Sequence, residues 1–362
     1  MDLLNALTVA QPTGFWHTIV LGLESAIGDY ALALILITVI IKLIMVPFDF
    51  WNKYTTKKTS RRQAELQPEI DKINKKYAGD KAMINQKTGE LYKSKNVNIM
   101  GSCFGMLIYF VLTMVIFWTL FGALNTISSY KIGDQFLQVR KEYFATYDIN
   151  VDELEEGKTA KVALDEKLLT ISSEEEKASL QALANENAFK KYEETRNGFL
   201  WITNIWRPDT TTSSVMDYKT FMGQTSLNSE ELTEDEYNLV ISYISENAKG
   251  YNGYFILAVL AAVLSYMSTV MNNWVSKARA KKKGLDLSLP NQTNKILTFV
   301  LPIIMGVFTL FYNAAFGLYI VAGSIITLIT GPLITLFVDM LEFEAIRKER
   351  ERTMPTYDRK RK

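Results

Sequence analysis

The sequence predicts an all-α polytopic membrane protein with five transmembrane helices, a cytoplasmic helical hairpin and an enlarged, mainly helical extracytoplasmic insertion. The first observation behind this is segregation of charge. The 362 residues are 48% hydrophobic with a formal charge of +1, averages that describe a soluble protein. Yet no charged residue occurs from Asn96 to Tyr130, from Tyr251 to Ser276 or from Ile296 to Val338, and each run is long enough to cross hydrocarbon. The second observation is the 43-residue length of the last run. As one helix it would extend about 64 Å, roughly twice the hydrocarbon thickness, so it must fold back. The third is the placement of Lys and Arg, which collect on alternate sides of the runs.

Residues 1–29 are read as an extracytoplasmic N-terminus. Met1 to Gln11 lacks a basic n-region and a long apolar core, so no cleavable signal is expected. In GFWHTIVLGLESAI, Phe15, Ile19, Gly22, Leu23 and Ile27 share one helical face, the pattern of an interfacial helix. The first span, residues 30–50, contains YALALILITVIIKLIMV and is expected to end at Pro47. Lys42 lies inside it. An ionised side chain within a span is costly and points to function. Its other reading is a stem that snorkels to the interface, because Pro47 is only five residues on, about 7 Å along the axis.

Residues 51–98 form the expected cytoplasmic hairpin. Leu66, Ile70, Ile73 and Tyr77 follow a 4,3,4 spacing, Ile84 and Leu91 are a heptad apart, and Ala78, Gly79 and Asp80 make the turn. Two readings stand: a mobile docking arm, or a solvated loop whose charges only enforce topology.

The second span covers 99–124 and an acidic outer domain covers 125–250. That domain holds two capping boxes, Ser173 with Glu176 and Thr233 with Glu236. Leu180, Leu183, Ala184, Phe189 and Tyr192, and separately Leu239, Val240, Tyr243 and Ile244, suggest small packed faces. Phe199, Trp201, Trp206 and Tyr254 read as interfacial anchors. The third span is 251–275, a basic loop 276–295, the fourth and fifth spans 296–313 and 314–341, and a basic tail 342–362. Tyr312, Asn313, Ala314 and Ala315 offer the turn between the last two.

Charge sets the orientation. Phe48 to Lys95 has twelve basic against six acidic residues, Lys277 to Lys295 six against one, and the tail from Glu342 eight against five. Asn125 to Asn252 has thirteen against twenty-three. The first three faces are therefore cytoplasmic and the last is outside, with the N-terminus out and the C-terminus in.

Composition also excludes functions. Cys103 is the only cysteine and His17 the only histidine, so an intrachain disulfide is impossible and a His/Cys metal or haem site is not expected. No Walker loop, GxSxG elbow or HExxH helix is present. The expectation is a protein that is not an enzyme, with no cofactor, no metal and no DNA partner.

Several strings, in order, resemble the YidC/Oxa family of membrane protein insertases. TVIIKLIMVP is similar to the family's first core span, where a basic residue, usually Arg, sits five residues before a Pro, as Lys42 does before Pro47. AELQPEIDKINKKYAGDK resembles its hairpin, LYKSKNVNIMGSCFGMLIYF the start of its second span, and FLWITNIWRPD followed by YNGYFILAVLAAVLSYMS the third span and the segment before it. AAFGLYIVAGS is a looser likeness to the last span. Ile99, Gly105 and Val111 stand where the family commonly has prolines, Tyr109 where it has Gln, and the outer region is much larger than the family loop.

The resemblance implies a groove open to cytoplasm and lipid and closed outside. Lys42, Thr38, Tyr109, Thr113 and Tyr319 are its candidate residues. For Thr38 the alternative is a hydrogen bond to its own helix, and for Tyr109 and Thr113 it is packing between helices. The implied partners are nascent membrane proteins, membrane lipids, the ribosome, the signal recognition machinery and the Sec translocon, at the bacterial plasma membrane. The competing readings are a transporter, for which only Pro302 and Pro332 hint at broken helices, and a membrane-anchored receptor using the outer domain.

Overall fold

The structure, a computed structural model, describes residues 7–95, 97, 99–155, 157–227, 232–248, 250–282 and 291–353. Parts of the expected basic loop (283–290) and tail (354–362) lie outside these. Eleven helices and no strand occur among the described residues. In chain order they are α1 (Phe15–Ile27), α2 (Tyr30–Lys76), α3 (Lys81–Ser94), α4 (Ile99–Ala145), α5 (Ala160–Thr170), α6 (Glu174–Thr195), α7 (Tyr218–Gln224), α8 (Glu234–Asn247), α9 (Ile256–Lys282), α10 (Asn291–Phe311) and α11 (Ala314–Thr353). Four of them, α2, α4, α9 and α11, are long and apolar enough to cross a membrane. In α10 the apolar stretch among the described residues is the shorter Pro302–Phe311.

The chain divides into two compact units. The first comprises 1–36, 118–259 and 306–320. Its core is built on Leu34, Leu120, Ile127, Tyr143, Phe144, Ile205, Trp206 and Ile244, all essentially inaccessible. The expected caps are present at the donor end: Ser173 Oγ accepts from Glu176 N at 3.3 Å and Thr233 Oγ1 from Glu236 N at 3.2 Å. Glu236 does not reach back to close the second box. Its carboxylate instead accepts from Arg140 Nε at 2.7 Å, both side chains being buried. The packed face of α6 is narrower than the spacing suggested, with Ala184, Ala188 and Tyr192 inside and Leu183 exposed. On α8 the inner residues are Tyr237, Val240, Ile241 and Ile244, while Tyr243 faces out.

The irregular segment 199–217 satisfies the orphan N–H groups that every helix N-terminus presents. Ala314 N and Ala315 N, at the start of α11, donate to Arg207 O and Ile205 O at 2.8 and 2.9 Å. Leu257 N, at the start of α9, donates to Asp209 Oδ2 at 2.9 Å. Asn252 holds the segment in shape, giving Nδ2 to the carbonyls of Asn204, Arg207 and Pro208 and accepting at Oδ1 from Thr203 Oγ1 and Asn204 N. One of the expected interfacial anchors is corrected here. Trp206 is buried against Tyr30, ring centroids 4.7 Å apart, because the capping segment turns it inward.

The second unit comprises 37–117, 260–305 and 321–362. The helix that carries the first span does not stop at Pro47, as expected from the proline, but continues through Pro47 and Pro68 to Lys76. A proline inside a helix removes one backbone hydrogen bond and costs about 3 kcal/mol. Beyond Pro47, however, Lys53, Lys57 and Arg61 each find partners on α11, contacts that offset that cost. After Lys76 a turn with Gly79 at φ 97° leads to α3, whose N-cap Asp80 accepts from Met83 N at 3.0 Å. Lys95, just past α3, reaches back to Glu69 at 3.2 Å, so α3 returns alongside α2.

Candidate functional site

On a helix of 3.6 residues per turn, Thr38, Lys42, Asp49 and Lys53 fall within about 60° of one another. They form a polar stripe on the mainly apolar first half of α2. Thr38 is fully buried and Lys42 half-buried. Both lie against Gly323 of α11: a Cβ there would sit 3.2 Å from Lys42 Cε and 3.7 Å from Thr38 Cγ2. The missing side chain is what lets the lysine stem lie along α11. Among the described residues no carboxylate lies within 4 Å of the Lys42 ammonium, although Asp49, two turns on, is near enough to act on Lys42 and Lys53 electrostatically.

Lys53 and Asn272 converge on the Gly331–Pro332 step of α11. Lys53 Nζ donates to Gly331 O at 3.1 Å, and Thr335 Oγ1 bonds Gly331 O at 2.9 Å and Asn272 Oδ1 at 3.3 Å. Further along, Lys57 pairs with the fully buried Asp339 and also donates to Ser276 Oγ at 3.0 Å. Arg61 Nε meets Glu342 Oε1 at 2.5 Å, with Glu65 and Glu349 on its Nη1. Residue numbers rise together along this ladder, so α2 and α11 run parallel. A second polar contact, Ser265 with Ser324 at 3.2 Å, ties α9 to α11.

The candidates on α4 are placed differently. Thr113 is exposed and its hydroxyl donates to the Tyr109 carbonyl of its own helix at 2.8 Å. Tyr109 is half-buried and its hydroxyl faces the Asp49 carboxylate. Thus four of the five sequence candidates, Lys42, Thr38, Tyr109 and Thr113, belong to the second unit. Tyr319 belongs to the first, its ring 6.3 Å from that of Phe316.

Sequence reasoning missed Asp49, Lys53, Asn272 and the acidic partners Asp339 and Glu342. Two signals were available: the seven-residue spacing of Asp49 from Lys42, and two lone acids directly after the uncharged run that ends at Val338.

The profile of the family described as 60Kd inner membrane protein matches residues 22–339, most of the chain. This chain belongs to that family. The likeness to the YidC/Oxa insertases read from short strings is thereby borne out, as is an all-α polytopic membrane architecture. Among curated relatives, a membrane protein insertase YidC of Fusobacterium nucleatum subsp. nucleatum is 36% identical over 103 residues, covering 28% of this chain and 46% of the relative. Proteins of the same name from Caldanaerobacter subterraneus subsp. tengcongensis and Clostridium tetani are both 35% identical, over 100 and 112 residues. The first covers 28% of this chain and 45% of the relative, the second 31% and 47%. The chain therefore spans just under half the length of these relatives. As a member of this family it is a multi-pass membrane protein of bacterial type.

Proposed function

We propose that this protein is a membrane protein insertase, which moves small membrane proteins from the cytoplasmic side into the plasma membrane without an enzymatic step. The observation that carries this reading is Lys42, a half-buried cation in an apolar span with no carboxylate of the described residues within 4 Å and with Thr38 and Gly323 beside it. A charge is costly to hold within a span, so a cation so placed marks a functional candidate. The polar stripe of α2, with Tyr109 and Thr113 on α4, would hydrate the polar part of an incoming segment and shorten its path through hydrocarbon. Lys42 would attract acidic residues of that segment, and partition of its apolar part into lipid would provide the net driving force. The names of the relatives support the same activity.

Five crossings, N-terminus out and C-terminus in, complete the proposal. The parallel course of α2 and α11 supports it, because parallel spans need an odd number of crossings between them. With α4 and α9 alone the count is even; α10 makes it odd. The nascent substrate, the membrane lipids, the ribosome, the signal recognition machinery and the Sec translocon are the proposed partners, and the α2–α3 hairpin is the proposed docking arm.

Purified protein in liposomes, given a small single-span substrate with an acidic translocated segment, tests the reading. Lys42→Arg is expected to retain insertion and Lys42→Glu to lose it by an order of magnitude or more, about 1.4 kcal/mol per tenfold step. Neutralising the acidic residues of the substrate should shrink that loss. If the Ala and Glu variants, folded and present at parental levels, insert the acidic substrate as well as the parent, electrostatic capture is wrong. If the parent inserts nothing beyond empty liposomes, the insertase reading itself falls.

A further inference from the structure

We propose that a strained aromatic rim in the first unit, Leu200 with Tyr251, Tyr254 and Phe255, seats in the outer-leaflet interface of the bilayer. Three of these side chains stand on backbone that bulky residues rarely adopt: Leu200 at φ 52°, Tyr254 at φ 58° and Phe255 at φ 62°. Such outliers persist only where surrounding structure imposes them, and they gather at functional sites.

Here the imposing structure is visible. Gly253 lies so close to Asp209 that a Cβ would come within 2.6 Å of the Asp209 Cβ and 3.1 Å of its Cα. Gly253 N donates to Asp209 O at 3.1 Å and Asn252 N to Thr211 O at 2.9 Å. Chain pinned at 252–253 must enter α9 at Ile256, and the two left-handed residues make that turn. Leu200 sits at the tip of a tight turn closed by reciprocal bonds between Phe199 and Ile202, both 2.9 Å.

The strain does not bury the side chains; it presents them. Leu200 is 76% and Tyr254 61% exposed, Tyr251 and Phe255 are also exposed, and the Tyr251 and Tyr254 rings stand 5.6 Å apart. An apolar patch of this kind needs a covering. What covers it follows from continuity. Phe255 directly precedes the apolar, outward-facing Ile256 and Val259 of α9, and Thr210 of the same capping segment bonds Leu310 O at the end of α10, beside Phe311 at 76% exposure. The helix that begins at Ile256 is long and apolar enough to cross a membrane; with lipid around that span, the rim falls at its end, where amphipathic rings partition. The function is anchorage at a fixed depth.

The test uses the full chain reconstituted in phosphatidylcholine liposomes, with Cys103→Ser and single cysteines carrying an environment-sensitive nitrobenzoxadiazole label. Labels at 200, 254 and 255 are expected to be quenched several-fold more by a shallow spin-labelled lipid than by a deep one, and to be shielded several-fold from aqueous iodide. The reference is a label at Leu169, exposed at 86% in the same unit. In the Tyr254→Gly/Phe255→Gly variant, glycine accepts the backbone geometry, so the fold should survive while the label at 200 loses most of its shielding. Iodide access at 254 and 255 equal to that at 169 would overturn the proposal, as would undiminished shielding at 200 in the glycine variant. In purified liposomes no protein partner is present, so a patch that serves another protein would give that first, overturning result.

Discussion

Glu236→Leu should be among the most damaging single changes in the outer domain, although no sequence motif marks Glu236 beyond a helix cap. Its carboxylate is fully buried and Arg140, its partner at 2.7 Å, is 6% exposed at the side chain. Arg140 also lies over the Phe144 ring, 5.7 Å from its centroid. Removing the carboxylate leaves the guanidinium buried and unpaired, which costs about 3–5 kcal/mol. For a unit of about 190 residues, each kcal/mol moves the midpoint by roughly 2–4 °C, so a drop of about 6–20 °C is expected. The assay is thermal unfolding of the full chain in detergent, with limited proteolysis between α4 and α8 as a local readout. The double variant Arg140→Met/Glu236→Leu should recover most of the loss, because replacing both members of a buried pair by apolar groups is near neutral or stabilising. A single-variant drop below about 2 °C, or a double variant as unstable as the two single losses added, would refute the claim that these charges hold each other in place.

Asn272 Nδ2 donates to Ser268 O at 2.9 Å, and Gly331→Ala places a Cβ 2.8 Å from that nitrogen, which should push the amide off Thr335 and Ser268 and lower the thermal midpoint by an amount corresponding to about 1–3 kcal/mol; adding Asn272→Ala should restore much of it, and no rescue would mean the clash lies elsewhere. Burial raises the Asp209 carboxyl above the ordinary carboxylate range. Its folded pKa therefore exceeds its unfolded one, so the charge penalises folding above the folded pKa and the penalty vanishes below the unfolded value near about 3.9. Asp209→Asn, which keeps an acceptor for Leu257 N, should thus match or exceed the parent's unfolding midpoint at pH 7, with the gap closing as pH falls toward 4; a midpoint lowered at pH 7 would refute it. Asp49 lies two turns from Lys42, about 10.5 Å of helix rise, and at an effective dielectric of about 20 that separation is worth about 1.6 kcal/mol. Asp49→Asn should therefore raise liposome insertion of acidic substrates by up to about tenfold and leave neutral ones unchanged; equal effects on both would show that Asp49 does not screen Lys42.

Local and one-dimensional features were legible in the chain alone. Uncharged runs gave α4, α9 and α11 as helices long and apolar enough to cross a membrane, Ser173 and Thr233 gave helix starts that the structure keeps, Ala78 to Asp80 gave the turn between α2 and α3, and short strings gave the family. Each depends on neighbours within a few residues, or on the cost of exposing charge to hydrocarbon, and both are written in sequence order. Pro47 misled because the local rule that proline ends a helix was outweighed by contacts with α11, nearly three hundred residues away. Trp206 misled because an aromatic near a span is interfacial by composition, whereas the Asn252-pinned segment turns it onto Tyr30. The pairs Lys57 with Asp339, Arg61 with Glu342 and Arg140 with Glu236 were invisible for the same reason. Charge in a sequence says only that a group must be solvated or paired, and which of the two holds, and with whom, is decided when distant helices bring a partner within 3 Å and exclude the water between them.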